Sequence, residues 1–124
     1  IWNATSGEEQ HVLKGHSGRV NSVAIQDDTI VSGSWDNTVR IWNATSGEEQ
    51  HVLKGHSGSV NSVAIQGDTI VSGSDDKTVR TWNATSGEEQ HVLKGHSDAV
   101  CSVAVQGDTI VSGSSDKTAR IWNA

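Results

Sequence analysis

The sequence predicts an all-β fold of short antiparallel strands, and three observations support this prediction. Apolar and polar residues alternate with a period of two, whereas an amphipathic helix would repeat about every 3.6 residues. Clusters of Gly, Asn, Asp and Ser separate the alternating runs, as expected for turns between strands. A forty-residue unit recurs three times, at 1–40, 41–80 and 81–120, and a four-residue tail, 121–124, repeats its beginning. Because only nine of the forty positions vary between the copies, all three units must share one local structure.

Each unit contains four predicted strands, which alternate in apolar and polar residues and are rich in β-branched side chains and Trp. In the first unit they cover 20–25, 29–34, 38–42 and, as a weaker and more polar run, 10–14. The turns between them contain Gly, Asn, Asp or Ser and lie at 3–7, 15–18, 27–28 and 35–37. No segment has a capped apolar stripe, so no helix is predicted.

The composition argues against several classes of protein. Apolar residues make up 33% of the chain and no apolar run exceeds three residues, so no membrane-spanning helix is predicted. The net charge is −6 and no basic run occurs, which argues against nucleic acid as a partner. The lone Cys101 cannot form an internal disulfide and no N-terminal signal is visible, so a reducing, cytoplasmic location is expected.

Several recurring residues resemble the WD40 repeat, in which a Gly-His pair precedes the first inner strand and a Trp closes the third. In the first unit these residues are Gly15-His16, Val20, Val23, Ser32-Gly33-Ser34, Asp36 and Val39-Arg40-Ile41-Trp42, and they recur at 55–82 and 95–122. The closing pair departs from the family's Trp-Asp, since Trp42 is followed by Asn43. The turn after the first inner strand, Gln66-Gly67-Asp68, is also shorter than in the family.

The resemblance implies a β-propeller, in which each four-stranded antiparallel sheet is one blade and each chain carries three blades. In this family the sequence unit is offset from the blade, so a unit begins with an outermost strand and continues with the inner strands of the next blade. Residues 8–14 are therefore expected to be an outer strand without a blade of their own. Residues 100–122 are expected to be three inner strands without an outer one. We expect 8–14 to complete the blade that 100–122 of a neighbouring chain begins.

Each unit also contains a Ser, a His and an Asp, which would suit a hydrolase with the Ser as nucleophile and the His as base. Three equivalent sets and the absence of a Gly-x-Ser-x-Gly motif favour a structural role instead. The resemblance implies that a Trp, the Ser, the His and the Asp form a buried hydrogen-bonded chain within each blade, here called the brace. Neither catalysis nor a cofactor is expected. The brace residues are His16, Ser32, Asp36, Trp42, His56, Ser72, Asp76, Trp82, His96, Ser112, Asp116 and Trp122.

Three other features repeat or vary among the units. His11, His51 and His91 lie on outer strands that diverge between blades, so no metal site is predicted. Asn3-Ala4-Thr5 and its equivalents match the N-glycosylation pattern, but they are better explained as turns. Cys101 replaces the Asn of the other two units on the innermost strand, and it is either an inert small residue or an exposed thiol.

Four of the nine variable positions change charge or chemical type, and the resemblance places them on one rim of the propeller, where such proteins commonly bind partners. They are Gly18, Arg19, Asn21 and Trp35, with the equivalents Gly58, Ser59, Asn61 and Asp75, and Asp98, Ala99, Cys101 and Ser115. One interpretation is a protein-recognition surface anchored by Trp35 beside Arg19, since Trp and Arg dominate binding hot spots. The other is that these positions are simply exposed and tolerate change. An exposed Trp35 slightly favours recognition.

The end blades of a repeat array expose apolar faces, and this chain has no polar capping unit. Unpaired strand edges would also pair with another chain. A head-to-tail interface forms a ring if the rotation closes, so the partner expected first is a second copy of this chain. The main function expected is a self-assembling scaffold, and protein recognition through the rim is the alternative. A natural fragment of a longer array and an engineered repeat protein both fit the sequence.

Closure requires a number of blades divisible by three. The resemblance implies a preference for seven blades, and a seven-bladed ring turns about 51° per blade. A six-bladed ring turns about 60° and a nine-bladed ring about 40°. The angle per blade in six is slightly nearer, so the angle alone slightly favours a six-bladed homodimer. Crowding of the innermost strand in a tighter ring, and resemblance to known large rings of near-identical blades, favour a nine-bladed homotrimer, which is the predicted assembly. At each junction Ile1-Trp2 and Ile121-Trp122 then compete for one strand position, and Trp122 is expected to displace Trp2.

Overall fold

A computed structural model describes all 124 residues, which form eleven β-strands in three antiparallel sheets. Within each sheet the strands are hydrogen-bonded in the order of the chain. The first sheet contains β1 (Val20–Gln26), β2 (Thr29–Ser34), β3 (Thr38–Asn43) and β4 (Glu49–Lys54). The second contains β5 (Val60–Gln66), β6 (Thr69–Ser74), β7 (Thr78–Asn83) and β8 (Glu89–Lys94). The third contains β9 (Val100–Gln106), β10 (Thr109–Ser114) and β11 (Ala119–Asn123). The predicted all-β class of antiparallel blades is confirmed, and none of the elements is a helix that could cross a membrane.

The hairpin turns follow directly from the sequence. Asp27, Gly67 and Gly107, each the first residue of a two-residue turn, have positive φ angles of 51°, 58° and 57°. Gly adopts this left-handed backbone without steric cost, and Asp is one of the few other residues that visit it routinely. The turn between the second and third strands uses the same backbone at Asn37 and Lys77, with φ angles of 72° and 73°.

The core lies between neighbouring blades, where β5 packs across the face of β2. The buried side chains of the first interface are Val31, Val39, Ile41, Leu53, Val60, Val63, Ile70 and Trp82. Gly33 permits this close approach, because a Cβ added there would lie 2.6 Å from Val60 Cγ1 and 3.0 Å from Val63 Cγ1. Real Cβ atoms do not approach this closely, so a Gly is required where the second blade presses two valines onto the first.

The ends of the chain depart from this regular pattern. The predicted strand at 10–14 does not form in the first unit, although its equivalents in the other units are β4 and β8. A single bridge, Trp2 to Glu9, is the only ladder contact of this region. The third blade, correspondingly, has three strands and no fourth. A fourth strand needs a third strand beside it, and residues 1–3 make only the Trp2–Glu9 bridge to this run.

Candidate functional site

Each blade contains one hydrogen-bonded chain of four side chains from three different segments. In the second blade, the Trp82 Nε1–H donates to Ser72 Oγ over 2.8 Å. Ser72 Oγ lies 2.7 Å from His56 Nε2, and His56 Nδ1 lies 2.9 Å from Asp76 Oδ2. The first and third blades repeat these contacts at distances between 2.7 and 2.9 Å. The four sequence-predicted brace residues are therefore brought together in all three blades.

The Asp of the brace also receives donors that the sequence reasoning missed. Thr78 donates to Asp76 Oδ1 from its hydroxyl over 2.6 Å and from its backbone N–H over 2.9 Å. The backbone N–H of Ser57 donates to Asp76 Oδ2 over 3.1 Å. A Thr two residues after the Asp in every unit was the available signal. These bonds join the loop before β5, the turn after β6 and the start of β7.

The charge state of the brace follows from its environment. Burial lowers the pKa of His56 from its ordinary 6.5, and this effect exceeds the opposing effect of the hydrogen bond that His56 donates to Asp76. Burial would raise the pKa of Asp76, but the hydrogen bonds from Thr78 and His56 outweigh it and lower the pKa to about 2. Near pH 7 the brace thus joins a carboxylate to a neutral imidazole, with His56 Nδ1–H donating and His56 Nε2 accepting from Ser72.

The other two brace carboxylates behave in the same way. The pKa of Asp36 is lowered because the Thr38 and His16 hydrogen bonds outweigh its burial. The pKa of Asp116 is lowered by its bond from Thr118 above all. All three therefore remain ionised in the folded chain at pH values where an unfolded Asp, with a pKa of about 3.9, binds a proton.

The same connectivity would serve a nucleophilic Ser, but access differs. Ser72 and Ser112 are fully buried, and each Ser Oγ also accepts an indole N–H. In the second and third blades, a substrate carbonyl would have to reach an oxygen of a fully buried Ser. The geometry is that of a satisfied buried network, which rigidifies a core when every member has a partner.

The rim positions lie in two loops that are joined by backbone hydrogen bonds. The amide of the residue after the second strand donates to the residue before the first strand, in the pairs Trp35 to Arg19, Asp75 to Ser59 and Ser115 to Ala99. In the first unit Arg19 Cζ lies 4.5 Å from the centroid of the Trp35 ring, a cation–π contact. Trp35 is nevertheless 52% exposed. Asp98, where the other units have Gly18 and Gly58, accepts the Ala99 N–H over 2.7 Å.

Two of the predicted rim residues face a neighbouring blade as well. Asn21 Nδ2 donates to the Val60 carbonyl over 3.1 Å, and Asn61 Nδ2 donates to the Val100 carbonyl over 3.0 Å. Asn61 Nδ2 also donates to Asp75 on the rim. In the third unit Cys101 takes this place, exposed and 3.3 Å from Ser115 Oγ. These asparagines thus hold blades together, which the rim interpretation overlooked.

A glutamine at the end of each innermost strand makes a second link between blades. Gln26 Nε2 donates to the Gly67 carbonyl over 3.0 Å, and the Gly67 N–H donates to Gln26 Oε1 over 2.9 Å. Gln66 Oε1 accepts the Gly107 N–H over 3.1 Å. Gln106, the third of the series, has no following blade within the chain. Sequence reasoning missed these glutamines, although all three units carry one at this position.

The outer histidines also contact the following blade. His11 Nε2 lies 2.8 Å from the Thr45 carbonyl oxygen, and His51 Nε2 lies 2.9 Å from that of Thr85. No group of three His, Cys, Asp or Glu side chains is placed to hold a metal ion. The Asn of the glycosylation-like pattern caps a turn, since Asn43 Oδ1 accepts the N–H groups of Thr45 and Ser46 over 2.9 Å each.

The two end faces of the chain expose groups whose equivalents are buried inside it. Val23 is 68% exposed, whereas its equivalent Val63 is 6% exposed. At the other end Ile121 is 76% exposed, whereas Ile41 is fully buried. A Cβ added at Gly113 would meet nothing within 4 Å, in contrast to Gly33. The first face therefore presents an apolar ridge, Val20, Val23 and Ile25, and the last face presents a socket around Gly113.

Comparison with known proteins is consistent with this architecture. The family profile described as "WD domain, G-beta repeat" matches three times, at 7–43, 47–83 and 87–123. The DENN domain and WD repeat-containing protein SCD1 of Arabidopsis thaliana is 42% identical over 41 residues, covering 33% of this chain and 4% of that protein. Protein DOA1 of Saccharomyces cerevisiae is 49% identical over 39 residues, covering 31% of this chain and 6% of that protein.

Two solved structures resemble the whole chain. The crystal structure of the computationally designed Ika8 protein superimposes with a TM-score of 0.91 at 30% identity, over 98% of this chain and 38% of that one. The structure of U3-55K gives a TM-score of 0.94 at 29% identity, over 99% of this chain and 41% of that one. The chain thus spans less than half of each of these structures and only a small part of the two sequence relatives.

Proposed function

Because this chain belongs to the WD40 repeat family, whose members are in general non-enzymatic interaction scaffolds, we propose that its main activity is self-assembly into a closed propeller. Copies associate head to tail, and the proposed ring is a nine-bladed homotrimer. The observation that carries this proposal is the match between the exposed Val20–Val23 ridge and the empty socket at Gly113. The similarity to a computationally designed protein over almost the whole chain also supports a repeat unit suited to assembly.

The ridge and the socket are two halves of an interface that the chain already makes twice. Val60 and Val63 press onto Gly33, and Val100 and Val103 press onto Gly73 with the same spacings of 2.6 and 3.0 Å. Val20 and Val23 of one copy would make the third such contact with Gly113 of another. Because both surfaces repeat the internal interface, the association is heterologous and continues until a ring closes.

Polar contacts repeat across the proposed junction as well. Gln106 would bond the backbone of Asp27 in the next copy, as Gln26 bonds Gly67. Within the chain, His11 packs against the turn at Gly47, where an added Cβ would lie 2.9 Å from His11 Nδ1. The equivalent turn at Gly7 is open, since a Cβ added there meets nothing within 4 Å. His91 of one copy would fill this space at Gly7 of the next copy. Gln106 ends an innermost strand and His91 lies on an outermost strand. Contacts at these two distances from the ring axis specify the relative orientation of two copies.

The fourth strand of the third blade would come from the next copy. β4 and β8 each pair with the third strand of their blade, in the same register. Residues 8–14 have the same sequence as the end of the connecting turn and these strands. We propose that they pair with β11 of the neighbour, which satisfies the unpaired edge of that strand.

The expected mass of the assembly is three times the 13.1 kDa of the chain, about 39 kDa. Native mass spectrometry at stated salt and protein concentrations measures it directly. A six-bladed homodimer, which the angle per blade also permits, would give about 26 kDa and would contradict the homotrimer alone. A mass of 13 kDa at every concentration would contradict ring closure itself.

Recognition of another protein through the rim is a second candidate, favoured by the exposed Trp35 stacked on Arg19. A large aromatic side chain that a cation holds in place contributes strongly to the binding free energy when a partner covers it. For any protein that binds the assembled ring, we expect Trp35→Ala to weaken binding at least tenfold without changing the native mass. Asp75→Ala at the equivalent position of the second unit is the matched control. Equal binding by the parent and Trp35→Ala would exclude this anchor.

A cytoplasmic location is part of this proposal. Cys101 is a free, exposed thiol, and such thiols persist in reducing compartments. The net charge of −6 disfavours a nucleic acid partner. No cofactor or metal is assigned to the scaffold.

A further inference from the structure

We propose that residues 1–3 occupy, within the single chain, the place that residues 121–123 of a neighbouring copy take in the ring. Assembly is then a strand exchange, in which one Ile-Trp-Asn segment replaces another of identical sequence. The inference rests on the proposed head-to-tail ring. It adds the surface for which the two segments compete, which is the strand edge of residues 8–11.

The N-terminal segment already forms a copy of the outer hairpin of a blade. Trp2 is paired with Glu9, as Trp42 is with Glu49. The Asn3 N–H donates to the Glu8 carbonyl over 2.8 Å. In the first blade the Asn43 N–H donates to the Glu48 carbonyl over 2.9 Å. Residues 1–3 thus take the position of the end of a third strand.

The strand edge that β11 of a neighbour needs is therefore occupied. The Gln10 N–H donates to the Ile1 carbonyl over 2.8 Å, and the Ile1 amino group donates to the His11 carbonyl over 2.7 Å. An extended segment offers only one row of hydrogen bonds on each side. Residues 8–11 cannot pair with Ile1 and with a neighbour's Ile121 at the same time.

The neighbour's segment is held by more contacts than the chain's own. Trp122 Nε1–H donates to Ser112 Oγ over 2.8 Å, and β11 pairs with β10 along five residues, from Ala119 to Asn123. Trp2, in contrast, is 69% exposed. Exchange keeps the pairing of residues 8–11 and extends it along a strand that is already fixed in its blade.

The apolar ridge is affected by the same exchange. Ile1 and Trp2 line an entirely apolar groove together with Val23 and Ile25. Residues 1–2 therefore lie beside the ridge, which stays largely exposed in the single chain, with Val23 at 68% and Ile25 at 65%. Their departure leaves this side of the ridge free for the last blade of a neighbour to cover.

A reversible disulfide between positions 2 and 9 tests the exchange. Trp2 and Glu9 form a non-hydrogen-bonded antiparallel pair, whose short Cα separation of about 4.5 Å suits a disulfide. We expect Trp2→Cys with Glu9→Cys, in a Cys101→Ser background, to remain at the single-chain mass when oxidised and to form the ring when reduced. The single Trp2→Cys variant in the same background should assemble under both conditions. Assembly of the oxidised double variant at the same concentration as the reduced one would overturn the exchange.

Deletion of residues 1–3 provides a second measurement that needs no disulfide. Without the competing segment, the midpoint concentration of assembly should fall at least tenfold. Deletion of both 1–3 and 121–123 should abolish assembly, because neither segment is left for the edge. An unchanged or higher midpoint for the first deletion would overturn the proposal while leaving the ring intact. If the parent chain and the deletion variant both remain single at every concentration, the proposed ring itself fails and the exchange fails with it.

Discussion

A chain that carries Gly113→Val is expected to fold like the parent and to remain a single chain at concentrations where the parent forms rings. A Cβ at this position meets nothing within 4 Å in the single chain, and Val suits a strand. At the junction the same Cβ would meet Val20 and Val23 of the next copy, as a Cβ at Gly33 would meet Val60 Cγ1 at 2.6 Å. Overpacking costs about 1–3 kcal/mol, which weakens each junction about 5- to 150-fold. A ring with several such junctions should be lost.

The matched control is Gly33→Val, which places the same clash between two blades of one chain. This variant should lower the free energy of unfolding by about 1–3 kcal/mol, whereas Gly113→Val should not. Native mass spectrometry and thermal unfolding separate the two effects. Rings of unchanged mass and stability in Gly113→Val would show that the Gly113 face is not part of the junction.

The strands that could be predicted from the sequence are those whose partners lie in the same unit. The run at 20–25 corresponds to β1, Val20–Gln26, and the run at 29–34 matches β2. Alternation and turn chemistry are local, so they determine these hairpins. The run at 10–14 has the sequence of β4 and β8 but forms no strand, because only residues 1–3 lie beside it and they supply a single bridge, Trp2 to Glu9. Strand formation there depends on pairing rather than on propensity.

The candidate site shows the same distinction. Residues that act within one blade could be predicted from the sequence, whereas contacts between blades could not. The brace residues could be named because the resemblance to the WD40 repeat implies them, and the structure places them in contact; their role in stability stays a prediction. Asn21 is predicted to lie on the rim, and its side chain also bonds the next blade. A register shift between Val20 and Ser22 lies at this residue, and a bulge of this kind redirects a side chain. Nothing in the sequence of one unit reveals that change of direction.

Removal of the central hydroxyl of the brace is expected to have the largest effect on stability of any single-atom change in the chain. Ser72→Ala leaves the Trp82 indole N–H and the His56 Nε2 without partners in a buried site. Each unsatisfied buried group costs about 1–3 kcal/mol, so the free energy of unfolding should fall by about 2 kcal/mol or more. Urea unfolding followed by Trp fluorescence, at one protein concentration, measures the loss. Ser86→Ala, in an exposed turn, should change stability by less than about 0.5 kcal/mol.

Because the brace contains titratable groups, it makes the stability of the folded chain depend on pH, which an apolar contact would not do. Folding lowers the pKa of His56, so the unfolded chain binds more protons and stability falls as the pH decreases below about 6.5. The lowered pKa of Asp76 acts in the same direction, with stability lost between about pH 4 and its folded value of about 2. His56→Gln should be less stable than the parent at pH 7, but its stability should fall less between pH 7 and 5. Parallel pH profiles for the two proteins would mean that folding does not lower the pKa of His56. A parent whose stability falls less than that of His56→Gln would mean that His56 is protonated and forms an ion pair with Asp76.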